Sequence, residues 1–488
     1  MNLNNMNMSS SLFSKISLTI QERRWLLLGL DLATVNSGLL IALKLRSDYE
    51  LDWLLIRENL IWFVLLSGLW LIFGQIFQVY DLKISGEFWT AIGAVVGAGL
   101  TANLVFNFIP YLPPALPPSR QPFFFALFVP VGLIVLGRII YLLFFSSPDF
   151  RRKVVIVGAG WAGRTIHQAL AEHGRSVYEL VGYVDDDPSL VGKKIRVKDQ
   201  EFPTDDVDQF CLPLLGGTNQ LENIIPEHDL DVVVIAITHG VNAELLKVFT
   251  DILQQRVDVV PMPVLYETLM GRVPVEHIGV HWAASIPLEH PSNKAVWKVT
   301  KRIFDLFWAG LGMLFLLPVF PVVALVIYLD SPGPIIYRQE RLGRNGKEYQ
   351  MYKFRSMVID AEQDGAVWAD EDDPRITRFG KFLRKTHLDE FPQFFNIIKG
   401  DMSVVGPRPE RPEFVEKLTE EIPFYRVRLA VKPGMAGWGL IHQGYGSSVE
   451  DSLRKLEFDL YYIKHQNLAL DFQILFRTFW ETVTMRGF

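Results

Sequence analysis

Residues 153–174 read KVVIVGAGWAGRTIHQALAEHG. A β-branched run, Val154–Val157, leads into Gly158-x-Gly160-x-x-Gly163 and then into a helical pattern. Further on, VGYVDDD closes a second apolar run in Asp185. Strand, glycine turn, helix and an acid after the next strand make up the dinucleotide-binding pattern in its usual setting. The glycines allow a tight turn and close backbone approach, the helix N-terminus favours an anion, and the acid suits a ribose. DVVVIAI, Asp231–Ile237, reads as a later buried strand. A Rossmann-like parallel-sheet domain is therefore expected over 152–265. Gly158, Gly160, Gly163 and Asp185 are its candidate nucleotide-binding residues, for NAD or another nucleotide. Such a fold can equally be kept for regulation or packing alone, and both readings stand.

Upstream, the sequence is dominated by four apolar segments, Trp25–Leu45, Leu60–Tyr80, Phe88–Phe108 and Pro122–Phe145. Each is close to the ~20 residues that a helix needs to cross a bilayer core. Asp31, Lys44 and Arg138 are charges within them, and such charges usually face other helices or snorkel. The loop PYLPPALPPS, with Arg120 beside it, separates the third segment from the fourth. Lys15, Arg23 and Arg24 precede the first segment, and Arg151, Arg152 and Lys153 follow the last. The positive-inside rule then places both the N-terminus and the chain after residue 150 in the cytoplasm, with Arg46 and Arg57 weakening the contrast.

The composition agrees. Of 488 residues 49% are hydrophobic, above the usual share for a soluble protein, and the net charge of -6 argues against nucleic-acid binding. The single cysteine, Cys211, excludes an intrachain disulfide. The length suggests about two to four domains. No cleavable signal peptide is expected in residues 1–20.

Downstream lies a fifth apolar segment, KVTKRIFDLFWAGLGMLFLLPVFPVVALVIYLD, at 298–330. As a straight helix, Phe304–Leu329 would reach ~39 Å, enough to cross a ~30 Å core. Pro318 and Pro321 sit near its middle and favour a bend. A crossing helix would put the rest of the chain outside; a bend and return would keep it in the cytoplasm.

After Asp330 the chain turns polar and basic. Arg338, Arg341, Arg344, Lys353 and Arg355 lie close together, followed by Arg375, Arg378, Arg384 and Lys385. Planar guanidiniums meet phosphate oxygens two at a time, although a basic face beside anionic lipid reads the same way. Residues 385–409, KTHLDEFPQFFNIIKGDMSVVGPRP, set an acid pair, Asp389 and Glu390, against apolar sequence. Thr386 and Asp389 match a capping box, with Phe391, Phe394 or Phe395, and Ile398 as one buried helix face. The same geometry suits phosphate chemistry. An ionised Asp389 can attack phosphorus, and Glu390 can help hold Mg²⁺. At the C-terminus, 455–480 reads as amphipathic helices, either on the membrane surface or in the domain core.

KRIFD, SPGPIIYRQERLGRNGKEYQMYKFRSM, DDPRITRFGKFLRKTHLDEFPQFFNIIKGDMSVVGPRP and KPGMAGWGLIHQGYG together resemble the bacterial polyprenyl-phosphate hexose-1-phosphate transferases over roughly 298–488. Four membrane helices, a Rossmann-like domain and this C-terminal part follow the order of the family's large members. The resemblance implies transfer of a sugar 1-phosphate from a UDP-sugar, with glucose or galactose as its sugar, to undecaprenyl phosphate, in exopolysaccharide, capsule or O-antigen synthesis. It implies that Asp389 is the nucleophile of a ping-pong reaction and that Glu390 belongs to the Mg²⁺ site. By motif position it suggests Arg341, Lys353, Arg355 and Arg408 as phosphate ligands. The fifth segment would be re-entrant, broken at Pro318 and Pro321, so that the active site faces the cytoplasm at the inner membrane. A homodimer is also implied. Two departures stand out: Phe391 where Leu is common, and Leu317-Pro318 where Ser-Pro is frequent.

The expected architecture is thus α/β plus membrane α-helices. Its parts are an N-terminal segment (1–24), a four-helix transmembrane bundle (25–148), the Rossmann-like domain, a linker (266–297) and a re-entrant-helix catalytic domain of mixed α/β (298–488). Two rivals remain. A membrane-anchored, NAD-dependent nucleotide-sugar dehydratase or epimerase would need Tyr-x-x-x-Lys on a helix, and Tyr349 and Lys353 match that spacing in a stretch that looks extended. A nucleotide-sensing scaffold would need no acid pair at all.

Overall fold

In a computed structural model the chain forms two compact units, Met1–Met270 and Gly271–Phe488. The structure describes residues 18–45, 49, 51–80, 88–114, 119–145, 150–197, 211–237, 243–253, 257–275, 295–361, 373–422, 424–443 and 448–483. Lys15, Arg46, most of the expected linker and the GYG sequence at 444–446 lie outside the described residues.

The first unit begins with four apolar helices: α1 (Ile20–Leu45), α2 (Leu60–Ile76), α3 (Phe88–Phe108) and α4 (Arg120–Phe145). Helices α1, α3 and α4 are long and apolar enough to cross a membrane. Helix α2 is shorter than its apolar run, because the chain folds back after it. Gln78 takes a left-handed conformation (φ 55°), and the Trp70 indole N–H donates to the Tyr80 hydroxyl at 2.9 Å. Inside the bundle, Arg138 of α4 bonds Asp31 of α1 at 2.9 Å, both side chains fully enclosed. A charge in apolar surroundings needs such a partner.

The sheet of this unit runs β3-β4-β2-β1-β5-β6. Its strands are β1 (Arg152–Val157), β2 (Tyr178–Val184), β3 (Lys194–Arg196), β4 (Cys211–Gly216), β5 (Val232–Ile235) and β6 (Asp258–Pro261). All neighbours are parallel except β3 and β4. The continuous apolar run of β1 reflects burial on both faces. Val154 and Ile156 join one core with α5 (Trp161–Ala169), while Val155 and Val157 join another with α6 (Leu221–His228) and α7 (Ala243–Leu253). Helix α8 (Met262–Met270) closes the first of these cores. Arg23 of α1 donates to the carbonyls of Ser176 and Phe150, tying the first membrane helix to the sheet domain.

The second unit opens with Val273 and Val275, which are buried in its core rather than left as a free linker. Helix α9 (Ala295–Asp330) is one hydrogen-bonded element of 36 residues, with Pro318 and Pro321 inside it. A hairpin follows, β7 (Ile336–Leu342) antiparallel to β8 (Glu348–Phe354), so EYQMYKF is extended as expected. Then come α10 (Arg378–Lys385), α11 (Gln393–Lys399), β9 (Ser403–Val405), α12 (Pro412–Glu421), β10 (Gly434–Ala436, parallel to β9), α13 (Trp438–Gln443), α14 (Val449–His465) and α15 (Leu468–Val483). The last two helices are largely domain core: Leu456, Leu460, Tyr462 and Ile474 are buried, and only the end of α15 presents Phe479 and Trp480 outward.

Helix α9 touches this unit from one end to the other. Near its start, Arg302 donates to the carbonyls of Ile397 and Ile398, both at 2.6 Å. One turn on, Asp305 accepts from the Ser403 hydroxyl at 2.8 Å and the Val404 amide at 3.1 Å. Phe315 packs on Phe391 and Phe320 on Phe354. At its end, Asp330 accepts from the Phe379 amide at 3.0 Å. Its other face, with Phe307, Leu314, Leu317, Val322, Leu325 and Leu329, is exposed and wholly apolar.

Candidate active site

The acid pair sits between α10 and α11, and the local fold differs from the capping-box expectation. Thr377 caps the start of α10 by accepting from the Gly380 amide at 3.0 Å. Thr386 closes its end, its hydroxyl donating back to the Phe382 carbonyl at 2.8 Å. Thr386 is thus the C-cap of α10 rather than the N-cap of a following helix. His387 then takes a left-handed conformation (φ 53°), a common way to end a helix but an uncommon one for histidine. Asp389 and Glu390 occupy one 3₁₀ turn, Leu388–Glu390, and α11 begins only after Pro392. The buried face of α11 also differs from the expected one. Gln393, Asn396 and Ile397 turn inward, while Phe395 and Ile398 are exposed.

Both acids are buried, Asp389 at 7% and Glu390 at 6% exposure. Glu390 Oε1 accepts from Lys353 Nζ and from an Arg408 guanidinium nitrogen, each at 2.8 Å. Burial opposes ionisation of Glu390, but Arg408 and Lys353 together outweigh it and hold its carboxyl well below the usual range. Asp389 makes no side-chain hydrogen bond among the described residues. Burial pushes its pKa up to about 6, against the attraction of Lys353. Two adjacent carboxylates thus have different roles set by their surroundings, one fixed as an anion and one unbonded.

Lys353 reaches the site because β8 is pinned to α11. The Asn396 side chain accepts from the Tyr352 amide at 3.1 Å and donates to the Gln350 carbonyl at 2.7 Å. Arg408 comes from the GPRP turn after β9. The sequence-based candidates Asp389, Glu390, Lys353 and Arg408 are therefore brought together. Arg341 stands beside that turn, donating to the Pro409 carbonyl at 3.1 Å and pairing with Glu410 at 3.6 Å. Arg355 is directed elsewhere: its guanidinium bonds the carbonyls of Ser331 and Pro332, just after α9. Pro318 and Pro321 lie within α9 itself.

Sequence reasoning passed over Asn396 and His387 here, and counted Arg384 only within the basic run. Asn396 works only through contacts with a strand distant in sequence. Arg384, which donates to the Ser356 hydroxyl at 3.1 Å, adds a positive charge near Asp389. His387 borders the pair, and burial pushes its pKa down. The signal for His387 was its position just before the acid pair; Asn396 carried none.

No cluster of three or more metal-ligating side chains occurs among the described residues. The donor set is two adjacent carboxylates, and both cations bind Oε1 of Glu390, which leaves Oε2. That fits a hard cation such as Mg²⁺, which takes one or two carboxylates and completes its shell from substrate phosphate and water.

In the first unit, the glycine turn after β1 is close-packed. Gly158 has φ +107°, and a Cβ on Gly163 would fall 1.9 Å from the Gly158 carbonyl oxygen. Gly160 has open space around it. Asp185 accepts from the Ala159 amide at 2.6 Å and from the Asp187 amide at 2.9 Å, so its carboxylate is bound to the turn itself.

A family model described as bacterial sugar transferase matches residues 296–485. The UDP-N-acetylgalactosamine-undecaprenyl-phosphate N-acetylgalactosaminephosphotransferase of Aeromonas hydrophila is 42% identical over 221 residues, covering 45% of this chain and 51% of that protein. The UDP-glucose:undecaprenyl-phosphate glucose-1-phosphate transferase of Escherichia coli (strain K12) is 40% identical over 195 residues, 40% of this chain and 42% of that one. The match thus spans about half the length of these two relatives, or less. The exopolysaccharide production protein PSS of Rhizobium leguminosarum bv. phaseoli is 40% identical over 197 residues, which are 39% of this chain but 98% of that protein.

Proposed function

This chain belongs to the bacterial sugar transferase family, and from that premise we propose that it transfers a sugar 1-phosphate from a UDP-sugar to undecaprenyl phosphate, an initiating step of surface-polysaccharide synthesis. The observation that carries the reading is the buried site itself: an unbonded Asp389 beside a Glu390 held by Lys353 and Arg408.

In the first half-reaction, Asp389 attacks the sugar-bearing phosphorus. A new bond forms from its carboxylate oxygen to phosphorus, the bond to the bridging oxygen breaks, and UMP leaves with the electron pair. In the second, an oxygen of undecaprenyl phosphate attacks the same phosphorus and Asp389 departs as carboxylate, giving undecaprenyl-diphosphate-sugar. The covalent intermediate lets two anions visit one site in turn. Lys353 and Arg408 hold Glu390 rigid, and their charge draws the phosphates to Asp389. Mg²⁺, with Glu390 as its protein ligand, would supply charge neutralisation at the diphosphate.

The long apolar face of α9 supports a seat in the cytoplasmic membrane. Helix α9 runs unbroken through Pro318 and Pro321, and both its ends are bonded to the same body, at Ile397–Ile398 and at Phe379, which favours a helix lying along that body with both ends on one side over one that breaks and returns or one that crosses. We read the sheet of the first unit as Rossmann-like from its strand order. A dinucleotide there would have to displace Asp185 from the Ala159 amide, which favours a packing or regulatory role. The dehydratase rival is disfavoured because Tyr349 and Lys353 lie on a strand and Lys353 is bound to Glu390.

The test is UMP release by purified protein in detergent with Mg²⁺, from UDP-glucose, UDP-galactose and UDP-N-acetylgalactosamine, with and without undecaprenyl phosphate. Acceptor-dependent turnover with at least one donor is expected, with Asp389→Asn at least ~1,000-fold slower. No UMP from any donor by folded protein would overturn the reading.

A further inference from the structure

The turn after β9 has to present Arg408 to Glu390, yet its backbone offers few donors, since Pro407 and Pro409 carry no N–H. Its carbonyls do the anchoring. Pro407 accepts from the Gly434 amide at 2.8 Å and Glu410 from the Leu342 amide at 3.1 Å. The two carbonyls between them are held by guanidiniums. Arg341 donates to Pro409 at 3.1 Å, and Arg428 donates to Arg408 itself, also at 3.1 Å.

Arg428 lies in the 3₁₀ turn Tyr425–Ala430 and is buried. The guanidinium nitrogen that serves the Arg408 carbonyl also bonds Asp459 of α14 at 2.9 Å. The other terminal nitrogen donates to the Tyr425 hydroxyl at 2.6 Å and lies 3.7 Å from Glu410. A rigid planar fork held at both nitrogens keeps one orientation. A continuous line of bonds thus runs from Asp459 through Arg428 to the Arg408 backbone, and on from the Arg408 side chain to Glu390 Oε1 at 2.8 Å. A buried ion pair alone would say little, because apolar side chains of similar volume often serve stability as well. What sets this pair apart is its further acceptor, the backbone of a residue that holds the acid pair.

We propose that Arg428 is a positioning residue of the transferase site: it clamps the Arg408 carbonyl to Asp459 and so aims the Arg408 guanidinium at Glu390. The inference rests on the transferase reading of that site. Arg428 bonds neither Asp389 nor Glu390, so its effect on the reaction passes through Arg408. Small misplacements of a group that orients the reacting atoms are costly in rate, which is why a clamp behind the site matters to it.

The experiment uses the full-length protein in detergent with Mg²⁺ and undecaprenyl phosphate. It measures UMP release from the donor that the wild type turns over, per folded molecule and well below each melting temperature. Arg428→Lys keeps a charge for Asp459 and removes the fork that spans Asp459 and the Arg408 carbonyl. A fall in kcat of about tenfold is expected. The same change is then made in Arg408→Lys, whose flexible stem needs no fixed carbonyl to bring its charge to Glu390. There it should cost less than about twofold, because residues that act through one another are not additive. A merely structural Arg428 would lower the melting temperature in both backgrounds and leave the rate per folded molecule alone. A rate for Arg428→Lys within about twofold of wild type overturns the proposal and leaves the transferase reading standing, as does an equal loss in both backgrounds. If Arg428→Lys fails to fold, Asp459→Asn, which loosens the far end of the clamp, goes through the same two comparisons with the same outcomes. A folded wild type that releases no UMP from any donor sinks the transferase reading, and this inference with it.

Discussion

Lys353 and Arg408 converge on a single oxygen of Glu390, each at 2.8 Å, while the neighbouring Asp389 is left unbonded. Removing either cation would leave a buried carboxylate under-compensated, which is why this trio is costly to alter one member at a time. A second residue-scale device lies outside the site. The His442 ring stacks on Phe458 and stands tilted against Trp438, with centroids 4.8 and 4.1 Å away, while its residue is exposed to solvent. Its Nε2 lies 3.1 Å from an Arg477 guanidinium nitrogen and its Nδ1 lies 3.0 Å from the Trp438 carbonyl. Guanidinium can only donate, so Nε2 is bare and Nδ1 carries the proton. Loss of water where Trp438 and Phe458 cover the ring, and then the charge of Arg477, push this histidine down to about 4. Between about pH 6.5, where the unfolded chain takes up the proton, and about 4, the unfolded state binds more protons, so stability falls as the pH falls. The melting temperature of the wild type should therefore drop across that window and that of His442→Gln should drop less; parallel curves would contradict this. At this scale the sequence shows Asp389, Glu390, Lys353 and Arg408 as candidates because their chemistry is local. It cannot show that Arg355 serves the carbonyls after α9, or that Arg341 braces Pro409, since both depend on chain segments packed from a distance.

Among the elements, α9 is the one that organises the site. Its first turns hold both flanks of the catalytic stretch: Arg302 binds the end of α11, and Asp305 binds Ser403 and Val404 in β9, the strand that leads to Arg408. Lys301 adds ion pairs to Asp305 at 3.2 Å and Asp471 at 2.9 Å. Asp305→Ala would leave the buried Val404 amide without its acceptor and Lys301 with Asp471 alone, a loss of about 1–3 kcal/mol. Denaturant unfolding of the purified protein measures it, and a loss below about 1 kcal/mol would show that the network is not needed for stability. Element type was largely legible, because periodicity and β-branching are local: the apolar helices, the run Val154–Val157 and the extended EYQMYKF all follow from them. Ends were less so. Helix α2 stops early because Tyr80 returns to Trp70, and the acid pair lies in a 3₁₀ turn because α10 ends at Thr386, whose amide bonds the Phe382 carbonyl, and His387 then turns left-handed. Both outcomes are decided by a competing bond that no pattern of apolar residues records.

For the whole molecule, the two units have separate cores, and the proposed catalytic residues all fall in the second. The Rhizobium relative is matched over 98% of its length by 197 residues of this chain, about the extent of the family match at 296–485 in the second unit. The fragment Gly271–Phe488 should therefore retain donor-dependent UMP release, within about tenfold of the intact chain, when purified in detergent. A folded but inactive fragment would mean that the first unit takes part in the chemistry. The order of bundle, sheet domain and catalytic unit was readable, because each announces itself by composition. The site's charge pairing was not, because Lys353, Glu390 and Arg408 come from three segments of the chain. The central claim is that Asp389 carries the phosphosugar between donor and acceptor. Its most direct test is the intact mass of the protein after incubation with Mg²⁺ and a turned-over UDP-sugar, without undecaprenyl phosphate. The account predicts one sugar-phosphate adduct per chain, mapped to Asp389, discharged on adding undecaprenyl phosphate and absent from Asp389→Asn. An Asp389→Asn protein that turns over at the wild-type rate, or an adduct on any other residue, would contradict it.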